Sequence, residues 1–179
     1  MPHKHTGVRA ETLLVKTYKY RAYPSREQVA ALEEQLREAC RLYNAALEER
    51  IWAWKMAHKS ISYYDQVYQV KPMRDAGELS LASWVVARDV LYRVDLAFQS
   101  FFRRVKAGET PGFPKYHAGR RYDSLTWGNY NLKLPASEHI PLHIRGPGSE
   151  PVRIERHRPV QGRVKTAEIK RHAGRWWVY

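Results

Sequence analysis

Residues 101–122 read FFRRVKAGETPGFPKYHAGRRY. Six cations, Arg103, Arg104, Lys106, Lys115, Arg120 and Arg121, stand against one acid, Glu109, with Phe113, Tyr116 and Tyr122 set among them. Guanidinium and ammonium groups neutralise phosphates, and rings stack on bases, so the chemistry of this mixture is polyanion recognition rather than bond making. The competing reading of the same residues is a solvated basic turn following a helix.

Charge placement favours the first reading. The 179 residues carry a formal charge of +13, a balance that attracts nucleic acid first and anionic membrane second. Residues 1–24 hold five Lys/Arg and one acid; residues 25–102 hold ten and eleven; residues 103–179 hold sixteen and six. Two basic flanks thus enclose a nearly neutral middle. No apolar run approaches the ~20 residues of a membrane helix, so no membrane partner is expected. The first fifteen residues lack the apolar core of a signal peptide. The one cysteine, Cys40, excludes an intrachain disulfide and fits a reducing compartment, which points to the cytoplasm.

The elements that must position these groups follow from periodicity. Residues 1–11 read as a loose leader. Residues 12–23 read as a strand with a cationic face that includes Lys19 and Arg21. Ser25 and Gln28 form a capping box, opening a helix to about His58 whose stripe is Val29, Leu32, Leu36, Cys40, Tyr43, Leu47, Ile51 and Trp54. Cys40, on that stripe, reads as core. A short helix spans Ser62 to about Val70, closed by Pro72. A third spans about Ser80 to Ala107 on Trp84, Ala87, Leu91, Val94, Phe98, Phe101 and Val105, with Gly108 as its stop. Beyond residue 122 the pattern turns to short strands at Ser124–Trp127, Asn131–Leu134, Ile140–Arg145, Val152–Glu155, Arg163–Lys170 and Trp176–Tyr179, separated by Gly and Pro. Such strands suggest a small barrel or sandwich, and the first strand needs that sheet to satisfy its backbone. The expected class is α+β: a small β-barrel from residues 12–24 and 110–179, with an antiparallel helical bundle inserted at 25–108. No Walker-type loop, HExxH or paired CxxC occurs.

At this point a family resemblance adds to the residues. KTYKYRAYPSREQVAALEEQLREACRLYNAALEER resembles the opening of the TnpB family, the OrfB-type proteins of bacterial insertion sequences. FFRRVKAGETPGFPKYHAGRRYDSLTW is similar to the second signature of that family, and TAEIKRHAGRWWVY to the strand pair that precedes its nuclease domain. The resemblance implies a wedge-type barrel with a helical recognition insert. It also implies an RNA-guided DNA endonuclease that binds a structured guide RNA and double-stranded DNA beside its target. Cutting in the family belongs to a RuvC-like domain whose carboxylates hold divalent metal. The sequence stops where that domain would begin, so this chain is expected to bind without cleaving and to need no cofactor of its own.

For contacts to the flanking DNA motif the resemblance points to Tyr63, Arg88, Ser124 and Trp127; packing is the alternative for Tyr63 and Trp127, and Trp84 reads as core. For guide RNA the cationic cluster nominates Lys19, Arg21, Arg103, Arg104, Lys106, Lys115, Arg120 and Arg121, since RNA is held through backbone, shape and stacking. Other readings stand beside this. His139, His143, His157 and His172 could form a metal site on strands, although Pro141 rules out a helical ligand pair. A stand-alone DNA-binding repressor would bind its duplex without RNA, and a transposase remnant would be a folded relic with no selected function.

Overall fold

The computed structural model describes residues 15–128, 139–140 and 149–179. Its sheet contains β1 Tyr20–Tyr23, β2 Ser124–Gly128, β3 His139–Ile140, β4 Val152–Glu155, β5 Thr166–His172 and β6 Arg175–Val178. The order is β2-β5-β6-β1-β4-β3 and every pairing is antiparallel. The N-terminal strand therefore lies mid-sheet, between β6 and β4, joining the two ends of the chain as expected. The sheet curls as a half-barrel, with β2 and β3 at its edges among the described residues. The strand expected at 131–134 lies outside the described residues, as does 141–145 of the next.

Helix α1, Arg26–Ala57, starts at the capping box: the Gln28 N–H donates to Ser25 Oγ at 3.2 Å and the Ser25 N–H to Gln28 Oε1 at 2.9 Å. Gln28 Nε2 also donates to the Glu150 carbonyl at 3.0 Å, fixing the helix start to the approach to β4. Helices α2, Tyr63–Asp75, and α3, Trp84–Lys106, follow. Gln66 of α2 meets Ala46 and Glu49, whereas Arg74 reaches Ala82, so α2 runs back along α1. Gln35 contacts Ser80, and Arg50 contacts Asp95, so α3 runs parallel to α1. The bundle is up-down-up.

A buried polar centre ties the three helices. Arg50, 9% exposed, sits 3.0 Å from Asp95 and donates to Gln66 Oε1 at 2.8 Å, with its guanidinium over the Phe98 ring. A charge this buried is tolerated only because it is paired and hydrogen-bonded.

Several element boundaries differ from expectation, among them β5, which runs Thr166–His172 rather than 163–170. The first strand shortens to Tyr20–Tyr23, since residues 15–19 have no ladder partner. Helix α2 passes through Pro72 to Asp75; proline forfeits one helix hydrogen bond, but the Ala76 N–H still reaches the Pro72 carbonyl at 2.9 Å and closes the last turn. Helix α3 begins at Trp84, not Ser80. Residues 79–82 stay outside the helix because α1 side chains satisfy their backbone: the Ser80 N–H donates to Glu38 Oε1 at 3.0 Å and the Ala82 N–H to Gln35 Oε1 at 2.8 Å. Leu79 and Leu81, alternating with them, are buried.

Helices and sheet share one hydrophobic cluster, in which Leu32, Leu36 and Leu91 belong with Leu125, Ile154 and Ile169. The β5–β6 hairpin turns at Ala173 and Gly174, both left-handed with φ of 49° and 69°, the geometry of a two-residue hairpin loop. Among the described residues, no helix is long and apolar enough to cross a membrane.

Candidate nucleic-acid interface

Residues paired directly across strands project to the same face of a sheet. The register places Ser124, Lys170, Trp177, Arg21 and Glu155 in one row across β2, β5, β6, β1 and β4. A neighbouring row on that face contains Tyr23 and Arg153. The opposite face, with Leu125, Ile169, Val178, Tyr20, Ala22 and Ile154, is buried. Hydrophobic alternation thus turns the cations outwards.

The outward cations are held by rings. Lys19 Nζ lies 4.3 Å from the centroid of the Trp177 ring, and the Arg21 guanidinium lies 5.3 Å from it. Arg21 and Arg153 also lie 5.5 Å and 5.2 Å from the Tyr23 ring; outside the strand register, exposed Arg158 lies 5.1 Å from Tyr18. A cation over a ring face is attracted electrostatically, so these charges are positioned before any ligand arrives. Arg21 Nη1 is buried without a hydrogen-bond partner among the described residues, leaving donor capacity unspent. The Tyr23 hydroxyl donates to Glu155 Oε2 at 2.7 Å, and this bond to a carboxylate pushes the phenol above its ordinary value.

The basic loop is fastened at two points. Phe113 packs edge-on against Phe98 and Phe101, at 5.8 Å and 5.3 Å. His117 exchanges two hydrogen bonds with the Asn44 side chain, each 2.9 Å, and its carbonyl accepts from Cys40 Sγ at 3.3 Å. Its ring meets Tyr43 at 4.6 Å. Partial burial, and then the Arg93 charge, lower the His117 imidazole below its ordinary value. Lys115, Tyr116, Arg120 and Arg121 stay exposed between and beyond these anchors. The loop ends at the β2 edge, where Asp123 pairs with Lys170 at 3.5 Å. The ends of the loop and of the cationic sheet face therefore meet.

One residue that periodicity missed joins helix to sheet. Arg93 Nε bonds Asp89 at 2.8 Å, Nη1 bonds Ser124 Oγ at 3.1 Å and Nη2 bonds Thr126 Oγ1 at 2.6 Å. Its guanidinium lies 5.5 Å from the Tyr122 ring. Burial pushes the Tyr122 hydroxyl far above its ordinary value, and burial raises the Asp89 carboxyl against the opposing pull of Arg93. The available signal was the Asp89–Arg93 spacing of four on a helix. Trp177, Arg153 and Arg158 were missed too; strand alternation around Arg21 would have found Trp177 once the pairing was known.

The residues nominated from sequence separate into three groups. Lys19 and Arg21 lie on the cationic sheet face, and Lys19 is exposed. Arg103, Arg104, Lys106, Lys115, Arg120 and Arg121 are all exposed on the end of α3 and the loop, with Arg104 3.8 Å from Glu109. Of the DNA-motif nominees, exposed Arg88 donates to the hydroxyl of half-buried Tyr63 at 3.4 Å, beside Tyr64 and Tyr92. Ser124 and Trp127 require correction as direct contacts: they are 5% and 2% exposed, Ser124 beneath Arg93 and Trp127 on the inward face. Trp84 is partly buried against the core. Among the described residues no three His, Cys, Asp or Glu side chains converge as a metal site; His157 instead packs on Tyr20 and His143 lies outside the described residues.

The helix-turn-helix domain model of OrfB-type insertion-sequence proteins matches residues 14–59. Over 170 residues the chain is 32% identical to a Streptomyces pristinaespiralis protein provisionally named an RNA-guided DNA endonuclease; the match covers 91% of this chain and 40% of that protein. The chain thus resembles OrfB-type proteins over residues 14–59 and spans 40% of the length of the relative it matches. A helix-turn-helix needs two helices joined by a short turn, whereas the described residues of this stretch, 15–59, hold β1 and the single unbroken α1. The matched stretch is better described as the strand and helix that carry Lys19, Arg21 and the anchors Cys40, Tyr43 and Asn44.

Cys40 carries a simple prediction. It is 4% exposed and burial raises its thiol above the ordinary value. Iodoacetamide should leave it unmodified in the native protein and label it at the rate of unfolding, read by mass. Rapid native labelling would contradict its placement in the core.

Proposed function

We propose that this chain is the nucleic-acid-gripping N-terminal part of an OrfB-type, RNA-guided DNA-targeting protein. It holds a structured guide RNA on the cationic sheet face and the loop of residues 109–122. It meets target-flanking duplex through the Arg88–Tyr63 corner. Charge and stacking do this work without a bound cofactor, and strand cleavage lies elsewhere in the assembly. In this reading the sheet grips and the three helices recognise, and the partition lies close to the charge-block boundaries after residues 24 and 102.

The observation that carries the proposal is the row of cations fixed over rings on one sheet face, with Lys19 and Arg21 at its centre. Preoriented cations bind phosphates with little ordering cost. The relative named as RNA-guided supports RNA as the polyanion.

The test is to purify the chain from its native host, sequence the bound RNA and titrate with salt. One structured transposon-end RNA should be recovered. The logarithm of affinity should fall against log salt with a slope of roughly −4 to −7, as expected when about six to eight phosphates are engaged. Recovery of bulk RNA alone, released by moderate salt, would overturn guide binding. The repressor reading draws on the helix-turn-helix description of the matching family, but a single α1 offers no second helix for a major groove. Tight binding to one duplex without any RNA would favour it.

A further inference from the structure

We propose that the far end of the helical bundle is a stacking platform for unpaired nucleotides, formed by Trp54 and Phe102 beside Phe113. This deepens the nucleic-acid reading and rests on it, but it concerns bases rather than phosphates and a surface remote from β1.

The apolar stripes of α1 and α3 are longer than the core that receives them. Phe98 is partly buried, yet Phe102, stacked on it at 6.3 Å, is 55% exposed, and Phe113 is 47% exposed. Phe101 touches both exposed rings, at 5.2 Å and 5.3 Å. Helix α1 runs parallel to α3, and the Arg50 guanidinium lies 5.5 Å from the Phe98 ring. Four further residues advance each helix by about 6 Å, which brings Trp54 level with Phe102. Trp54 is 57% exposed. Large exposed rings grouped in this way mark an interaction surface.

Charge identifies the occupant. Residues 96–121 contain six cations and one acid, Glu109, and Glu109 lies 3.8 Å from Arg104. A second copy of the chain would bring these cations face to face across the rings. A flat apolar group attached to a negative backbone meets both features, and an unpaired nucleotide is that group. Stacking on such rings tolerates any base, because every base has a π-face.

The experiment measures binding of the full chain to a fluorescent single strand of about 12 nucleotides, within the usual footprint of such surfaces. An abasic strand of equal length serves as the phosphate-only probe, and ribose and deoxyribose versions separate RNA from DNA. The chain should prefer the base-bearing strand. The double variant Trp54→Ala, Phe102→Ala should bind that strand about tenfold or more weakly, with abasic binding and melting temperature unchanged. Trp54→Phe, Phe102→Tyr, which keeps the rings, should retain the preference. Equal affinity for both strands, or an unaffected alanine variant, overturns the platform while leaving phosphate binding intact. A variant that shifts the sedimentation coefficient without changing binding also overturns it, in favour of self-association. Failure of both strands to bind would remove the underlying nucleic-acid reading as well.

Discussion

Arg93→Ala should lower unfolding stability by about 2–4 kcal/mol, near the lower end of the cost of breaking a buried ion pair, because both partners keep some contact with water. For a chain of this size that is a fall of roughly 5–15 °C in melting temperature. The size follows from what the substitution strands. Asp89, 2.8 Å away, loses its counter-charge, and the Ser124 and Thr126 hydroxyls lose bonds of 3.1 Å and 2.6 Å. Half-buried Asp89 already sits above its ordinary value. Without Arg93 its folded-state value rises further, so the native state binds a proton that the unfolded chain has released. Stability then falls as pH rises through that range, and the Arg93→Ala deficit should grow from acid to neutral pH. Adding Asp89→Asn should recover part of the loss. Calorimetry across pH checks all three; a variant that melts like the parent would remove the helix–sheet latch.

Reversing Arg103, Arg104, Arg120 and Arg121 to Glu should weaken nucleic-acid binding by two or more orders of magnitude. Each reversal removes two charges, so the formal charge falls from +13 to +5. Four lost phosphate contacts should flatten the salt slope by about 3 to 4. Stability should barely change. All four side chains are exposed, and their one ion pair among the described residues, Arg104 with Glu109, is an open 3.8 Å contact of the kind worth little. Electrophoretic mobility shift at two salt concentrations, with a melting curve beside it, is sufficient. Unchanged affinity would confine binding to the sheet face around Lys19 and Arg21; loss of fold would show that the loop is structural.

The helix-turn-helix description of the matching family and the single α1 lead to different experiments. A recognition helix predicts base-specific duplex binding that individual α1 side chains control. The fold instead commits α1 to support. Its inward residues Leu32, Leu36 and Leu47 are core, while Gln35, Glu38, Cys40, Asn44 and Arg50 bond to neighbouring segments.

Much of this was legible from local pattern. The α1 capping box, the two long apolar stripes, the buried Cys40 and the strand at Val152–Glu155 follow from spacing, because capping and periodicity depend on residues a few positions apart. The chain alone also determined the two basic flanks and the ring-bearing loop between Arg103 and Arg121. It could not reveal that β1 is central, since that depends on β4 and β6, more than a hundred residues away. Only the tertiary structure set Trp177 beneath Lys19 and Arg21, fixed Arg93 on Ser124, and buried Trp127. Nor could local pattern show where the stripes outrun their partners and leave Trp54 and Phe102 in water. A side chain's own sequence fixes which way it faces along an element; what it faces depends on which distant segment packs there.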